Sequence, residues 1–111
     1  MQITQVPDTG HVHVRTVSNV DLQNVDRFRQ RLLGVLTDST TNMTLDVSQL
    51  DYINSWGLAV FVELDTSLMR SGGKLVVLNP SPRLCRLFKE TRLDQIFSIV
   101  SNDIDTRVPQ P

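Results

Sequence analysis

A serine at the start of a predicted helix is the residue of this chain best suited to chemistry. Ser55 lies in Asn54-Ser55-Trp56-Gly57, where the apolar pattern changes from strand spacing to helical spacing. An N-cap serine lies beside unpaired N–H groups and the positive end of the helix macrodipole. A phosphate on Ser55 would add about two negative charges there without disrupting the helix. The alternative is that Ser55 only caps the helix, which is the usual role of serine at this position.

The residue after Ser55 predicts a contact surface. On a helical wheel, Trp56 falls on the face opposite the apolar stripe, together with Ala59, Glu63, Thr66 and Arg70. A large aromatic side chain on a solvated face is typical of a binding surface. The alternative is a tryptophan ring lying flat on a neighbouring loop.

One strand and one helix position Ser55. Residues 43–47 have the length and composition of a strand, and apolar residues recur at helical spacing from Leu58 onward. Ser71-Gly72-Gly73 predicts the end of this helix. Asp65 falls inside the apolar arc, and we expect it at the rim, paired with a basic residue. The apolar face comprises Leu58, Phe61, Val62, Leu64, Leu68 and Met69.

Short strand-like segments on both sides of this unit indicate an α/β fold. Residues 2–6 and 11–17 alternate around Pro7-Asp8-Thr9-Gly10, which predicts a β-hairpin. Residues 74–78 are continuously apolar after Lys74, which predicts a strand buried on both faces of a largely parallel sheet. A last short strand is predicted at 96–100.

Two further helices complete the predicted order β-β-α-β-α-β-α-β. The first has apolar residues at helical spacing, at Val25, Phe28, Leu32 and Val35 or Leu36. Its solvated face is expected to carry Arg27, Arg29, Gln30 and Arg31. The second begins with Ser81 as N-cap and Pro82 at the first helical position. Its apolar face is predicted at Leu84, Leu87 and Phe88, with Cys85 half-buried beside them and Arg83, Arg86, Lys89 and Arg92 solvated.

The length and charge of the chain exclude several classes of protein. Its 111 residues fit a single domain over 1–111, with 101–111 expected to be a loosely ordered tail. A net charge of −1 gives no general attraction to nucleic acid or to an anionic membrane, and no apolar run is long enough to span a bilayer. Cys85 is the single cysteine, so an internal disulfide is impossible and a cytoplasmic protein is expected.

The chain lacks the residue sets that catalysis or metal binding requires. His11 and His13 are its two histidines, which are too few for a metal site with one cysteine, so neither metal nor cofactor is expected. A hydrolase nucleophile elbow needs glycine where Ile53 stands, and Gly72-Gly73 follows a helix instead of opening a phosphate loop. We therefore expect a protein that is not an enzyme.

The segment LDVSQLDYINSWGL resembles the signature of the STAS domain, in particular that of bacterial anti-sigma-factor antagonists, roughly L-D-x-S-x-(L/V)-x-x-(I/M)-D-S-x-G-L. The resemblance covers nearly the whole chain and departs from the pattern at Asn54, usually aspartate, and at Trp56, usually a small residue. It implies a mixed sheet with helices packed mainly on one face, and phosphorylation at Ser55. The matching residues are Leu45, Asp46, Ser48, Leu50, Ile53, Ser55, Gly57 and Leu58.

The resemblance also implies a function. The unmodified chain would bind an anti-sigma factor with serine kinase activity. This partner would phosphorylate Ser55, and the phosphorylated chain would dissociate from it. A serine phosphatase would then remove the phosphate and restore the binding form. Asp21 matches a family position near the phosphorylation site; the alternative is an acidic residue favoured by the helix dipole. A second possibility is a STAS subunit of a transporter complex that is not phosphorylated. Expected partner-binding residues are Asp21, Asn54, Trp56, Gly57, Ala59 and Glu63.

Overall fold

The computed structural model describes residues 2–6, 10–16, 19–37 and 40–101. Its elements have the predicted order, with a short 3-10 helix at Leu93–Gln95 before the last strand. The strands are β1 (Gln2–Val6), β2 (His11–Arg15), β3 (Asn42–Asp46), β4 (Leu75–Leu78) and β5 (Ser98–Val100). The α-helices are α1 (Val25–Gly34), α2 (Ser55–Arg70) and α3 (Pro82–Glu90).

The strands form one mixed sheet in the order β1-β2-β3-β4-β5. β1 and β2 pair antiparallel, which confirms the predicted hairpin. The pairs β2–β3, β3–β4 and β4–β5 are parallel, as the α/β pattern predicts. Residues 7–9 of the hairpin turn, Val17 and the tail from 102 onward lie outside the described residues.

The core lies on one face of the sheet. The register places Val12 beside Met43 and Met43 beside Leu75, and all three side chains are buried. Helices pack over this face, and the Phe61 ring of α2 lies 6.1 Å from Phe28, 6.2 Å from Phe88 and 6.0 Å from Phe97 between centroids. The expectation of helices mainly on one face is thereby confirmed.

Burial along β4 differs from the prediction. Leu75 and Val77 are buried, but Val76 and Leu78 are only half-buried. The prediction of a strand buried on both faces was therefore wrong. Val76 and Leu78 project from the face opposite the one on which α1, α2 and α3 pack.

The buried face of α2 is rotated relative to the predicted one. Val60 is buried, whereas Met69 is 63% exposed. Asp65 is 2% exposed, and its Oδ1 accepts a hydrogen bond from the backbone N–H of Leu75 at 3.0 Å. The expected pairing of Asp65 with a basic residue at the rim was wrong, because the carboxylate instead joins α2 to the start of β4.

We expect Asp65→Ala to lower the free energy of unfolding by about 2 kcal/mol, since it leaves the buried Leu75 N–H without an acceptor. Asp65→Asn keeps an acceptor oxygen of similar reach and should lose less. Urea denaturation of the two variants and the wild type measures the difference. Equal losses for alanine and asparagine would contradict a role for this hydrogen bond.

Candidate functional site

Asn54 caps α2, and Ser55 is the first residue of the helix. Asn54 has extended backbone angles (φ −83°, ψ 174°), and its Oδ1 accepts the Gly57 N–H at 2.8 Å. Its carbonyl oxygen accepts the Leu58 N–H at 3.1 Å. The prediction that Ser55 is the N-cap was wrong by one residue, because asparagine is an equally good cap. Ser55 is exposed, and within the described residues its hydroxyl has no hydrogen-bond partner.

Gly57 determines how closely the first turn of α2 approaches the core. A Cβ at this position would lie 2.5 Å from Ile53 Cγ1 and 3.0 Å from Val20 Cγ1. Gly57 is buried, unlike Ser55 and Trp56. The glycine thus holds the helix start against Ile53 and Val20, while the two residues before it are presented to solvent.

Backbone pairing joins the segment before α2 to the segment before α1. Val20 and Ile53 form a parallel bridge, in which the Val20 N–H donates to the Tyr52 carbonyl at 3.0 Å. The Asn54 N–H donates to the Val20 carbonyl at 3.1 Å. The Asn19 side chain also joins the two segments, because its Oδ1 accepts the N–H groups of Asp51 at 2.8 Å and Tyr52 at 3.0 Å.

This pairing brings the segment that carries Asp21 alongside the start of α2. The exposed Asp21 carboxylate accepts the backbone N–H groups of Gln23 at 2.9 Å and Asn24 at 3.2 Å. Asn24 Oδ1 in turn accepts the Asp21 N–H at 2.9 Å. Asp21 therefore stabilises the turn into α1 and remains at the surface, one residue from the Val20–Ile53 bridge.

Three exposed apolar side chains lie on these two joined segments. Trp56 is 60% exposed, which confirms that it points outward, and Tyr52 and Leu22 are 48% and 69% exposed. We call Asp21, Leu22, Tyr52, Ser55 and Trp56 the helix-start surface. Sequence reasoning missed Leu22 and Tyr52, although Leu22 lies between two polar residues and directly follows Asp21, which was already selected.

Farther along α2, the predicted contact face includes Glu63, which forms an ion pair with Arg29 of α1. Ala59 is exposed, and Glu63 accepts two hydrogen bonds from Arg29 of α1, from Nε at 3.0 Å and from Nη2 at 2.8 Å. The hydrogen bond from Arg29 holds the pKa of the Glu63 carboxyl below its usual value. The sequence predicts Arg29 on a solvated face, where it is exposed, but does not reveal its pair with Glu63, because contacts between helices cannot be read from one helix.

The His11 and Cys85 side chains, considered above as metal-binding or reactive groups, make ordinary structural contacts. His11 Nε2 lies 2.9 Å from Thr44 Oγ1 on the neighbouring strand. Cys85 is half-buried, and its thiol lies 3.7 Å from the Pro80 carbonyl oxygen. The described residues contain no group of three or more histidine, cysteine or acidic side chains able to hold a metal ion.

In the described part of the chain, no helix combines the length and the apolar character needed to cross a bilayer.

Comparison with known proteins identifies relatives over most of the chain. The sequence model of the STAS domain matches residues 1–106. The anti-sigma-B factor antagonist of Listeria monocytogenes is 29% identical over 92 residues, which are 83% of this chain and 81% of that protein. The crystal structure of an anti-sigma factor antagonist from Mycobacterium paratuberculosis superimposes with a TM-score of 0.75 at 21% identity, covering 94% of this chain and 87% of the other. The Bacillus cell fate determinant SpoIIAA in its phosphorylated form has a TM-score of 0.69 at 18% identity, covering 96% and 95% of the two chains.

Proposed function

The chain belongs to the STAS domain family, and on that premise we propose that it is an anti-sigma-factor antagonist whose binding is switched by phosphorylation of Ser55. The observation that carries this proposal is the exposed Ser55 hydroxyl at the first position of α2, with the capping function taken over by Asn54. The name of the Listeria relative supports the antagonist role, and the phosphorylated SpoIIAA supports a phosphate on this fold.

In the unmodified state, the helix-start surface binds an anti-sigma factor with serine kinase activity. Leu22, Tyr52 and Trp56 offer apolar area around a small neutral hydroxyl, a composition suited to the desolvated centre of an interface. Binding occupies the anti-sigma factor and releases its sigma factor. We assign this exchange to the cytoplasm, the compartment that the lone free cysteine favours.

Phosphorylation reverses the exchange through charge. The partner transfers the γ-phosphoryl group of its bound ATP to Ser55 Oγ, so a new O–P bond forms, the bond to ADP breaks, and the hydroxyl proton leaves. The phosphate brings about two negative charges into a largely apolar contact, where burial without a cationic partner is costly. The N-terminal position on α2 accommodates the same charge in the free protein. A serine phosphatase hydrolyses the phosphoester and restores the binding form.

Incubation with the cognate kinase and ATP should add one phosphate, mapped by mass spectrometry to Ser55. Ser55→Ala should abolish the modification, whereas Ser48→Ala, the matched change at another exposed serine, should leave it intact. In calorimetric titrations, Ser55→Ala should bind the anti-sigma factor like the wild type, and Ser55→Glu should bind roughly tenfold more weakly.

Two results would contradict this proposal. Phosphorylation at Ser48 with Ser55 unmodified would place the switch elsewhere. A chain that no serine kinase of its organism modifies, and whose Ser55→Glu variant binds like the wild type, would favour the alternative of a non-phosphorylated subunit of a transporter complex.

A further inference from the structure

A groove lies between α3 and β5, at the edge of the sheet farthest from β1. Its volume is about 580 Å³, and its lining consists of Cys85, Lys89 and residues 94–99. Among the described strands, β5 pairs only with β4, so its outer edge offers backbone N–H and carbonyl groups to a further strand. We propose that residues 104–108 of the same chain form a sixth strand on this edge and cover the groove and the Cys85 thiol.

The lining of the groove favours uncharged apolar side chains. Phe97 is buried, Ile99 is half-buried against the core, and Ile96 is 51% exposed. Lys89 and Asp94 are both exposed and carry opposite charges, so the groove has no net charge with which to select a charged segment. A segment that covers Ile96 and Ile99 gains free energy in proportion to the apolar area removed from water.

The sequence after β5 has the pattern of a strand with one uncharged face. Residues 104–108 are Ile-Asp-Thr-Arg-Val, in which β-branched residues alternate with charged ones. Asn102 and Asp103 precede this segment, and both residue types tolerate the positive φ that a two-residue hairpin turn needs. Pro109 follows it and lacks the N–H that further pairing would use. This pattern predicts an antiparallel hairpin with β5, in place of the loosely ordered tail expected from composition.

The register of this hairpin directs the β-branched side chains toward the groove. With a two-residue turn, Thr106 lies opposite Ile99, and paired residues project from the same face of a sheet. Ile99 packs against the core on the face that the helices cover, so the three β-branched residues of 104–108 share that face. The two charged residues between them project from the other face. A shift of one residue would reverse this arrangement and place both charges at the groove.

The single thiol of the chain measures whether the groove is covered, because Cys85 lines it and is half-buried. The test is the rate at which Cys85 of the folded, full-length chain reacts with dithionitrobenzoate. The double variant Ile104→Ser, Val108→Ser removes the proposed contacts and should react about tenfold faster than the wild type. The double variant Asp105→Ser, Arg107→Ser is the matched control, since it also leaves the net charge unchanged; its rate should stay within about twofold of the wild type.

Three results would overturn the inference. Equal reaction rates for the two double variants would show that the β-branched face does not cover the thiol. A wild-type rate that falls as the protein concentration rises would show that a second copy covers the groove. Hydrogen exchange followed by NMR is independent of the thiol: amides of residues 104–108 should be protected in the wild type and lose protection in the Ile104→Ser, Val108→Ser variant. Rapid exchange of every amide in 104–108 of the wild type would contradict the sixth strand.

Discussion

We expect Gly73→Ala to lower the free energy of unfolding by roughly 3–5 kcal/mol, near the upper end of single substitutions. A Cβ on Gly73 would lie within 2.4 Å of the Thr41 carbonyl carbon and would overlap its oxygen. Both contacts are with backbone, so no rotamer change relieves them. Gly73 also ends α2, because its N–H donates to the Leu68 carbonyl at 3.0 Å, and preceding Gly72 has the positive φ of 80° usual after a helix.

Chemical denaturation followed by circular dichroism measures this loss. The matched control is Gly34→Ala in α1, where a Cβ would meet no atom within 4 Å. Since alanine is the better helix former, this control should be neutral or gain up to about 1 kcal/mol. Similar midpoints for both variants would contradict the close approach of Gly73 to Thr41.

We expect Trp56→Ala to weaken binding of the anti-sigma factor by tens of fold, a loss of roughly 2 kcal/mol or more, as for a tryptophan at the centre of an interface. Trp56 is 60% exposed and follows Ser55 directly. Truncation therefore removes an anchor from the helix-start surface while leaving the core intact.

Calorimetry and thermal unfolding should be measured together. Met69→Ala is the matched control, because Met69 is 63% exposed on the same helix but lies near its other end; its affinity and melting temperature should both stay near those of the wild type. A large fall in the melting temperature of Trp56→Ala with unchanged affinity would place Trp56 in a structural role and the interface elsewhere.

Much of the fold can be predicted from the sequence because local signals and tertiary packing agree. Ser81 caps α3 and Pro82 is its first residue, as the Ser-Pro pair predicts, and Ser81 Oγ accepts the Leu84 N–H at 3.2 Å. Gly72-Gly73 ends α2 where expected. The hairpin follows from the alternation on both sides of its turn sequence. In each case the residues that decide the conformation lie within a few positions of one another.

The predictions from the sequence were wrong or incomplete where contacts between segments far apart in the chain determine the structure. Asn54 is the cap of α2, and its N–H is also bound to the Val20 carbonyl, a contact across more than thirty positions that the local sequence does not reveal. Asp65 looked like a misplaced surface residue because its partner, the Leu75 N–H, lies on another element. The pair of Arg29 with Glu63 is likewise invisible on a single helical wheel. Tyr52 joins the helix-start surface only through the bridge between Val20 and Ile53, which neither segment reveals by itself.

The hydrogen bonds from Asn19 and Val20 to residues 51–54 affect how fast a partner associates and dissociates. They hold the backbone beside Ser55 through two side-chain and two backbone hydrogen bonds, so a partner meets a loop that is already ordered. Association of such surfaces is set by diffusion and orientation, with typical rate constants of roughly 10⁵–10⁷ M⁻¹s⁻¹, and related complexes differ mainly in how fast they dissociate. A phosphate on Ser55, the first residue of the adjoining helix, would therefore act mainly by shortening the lifetime of the complex.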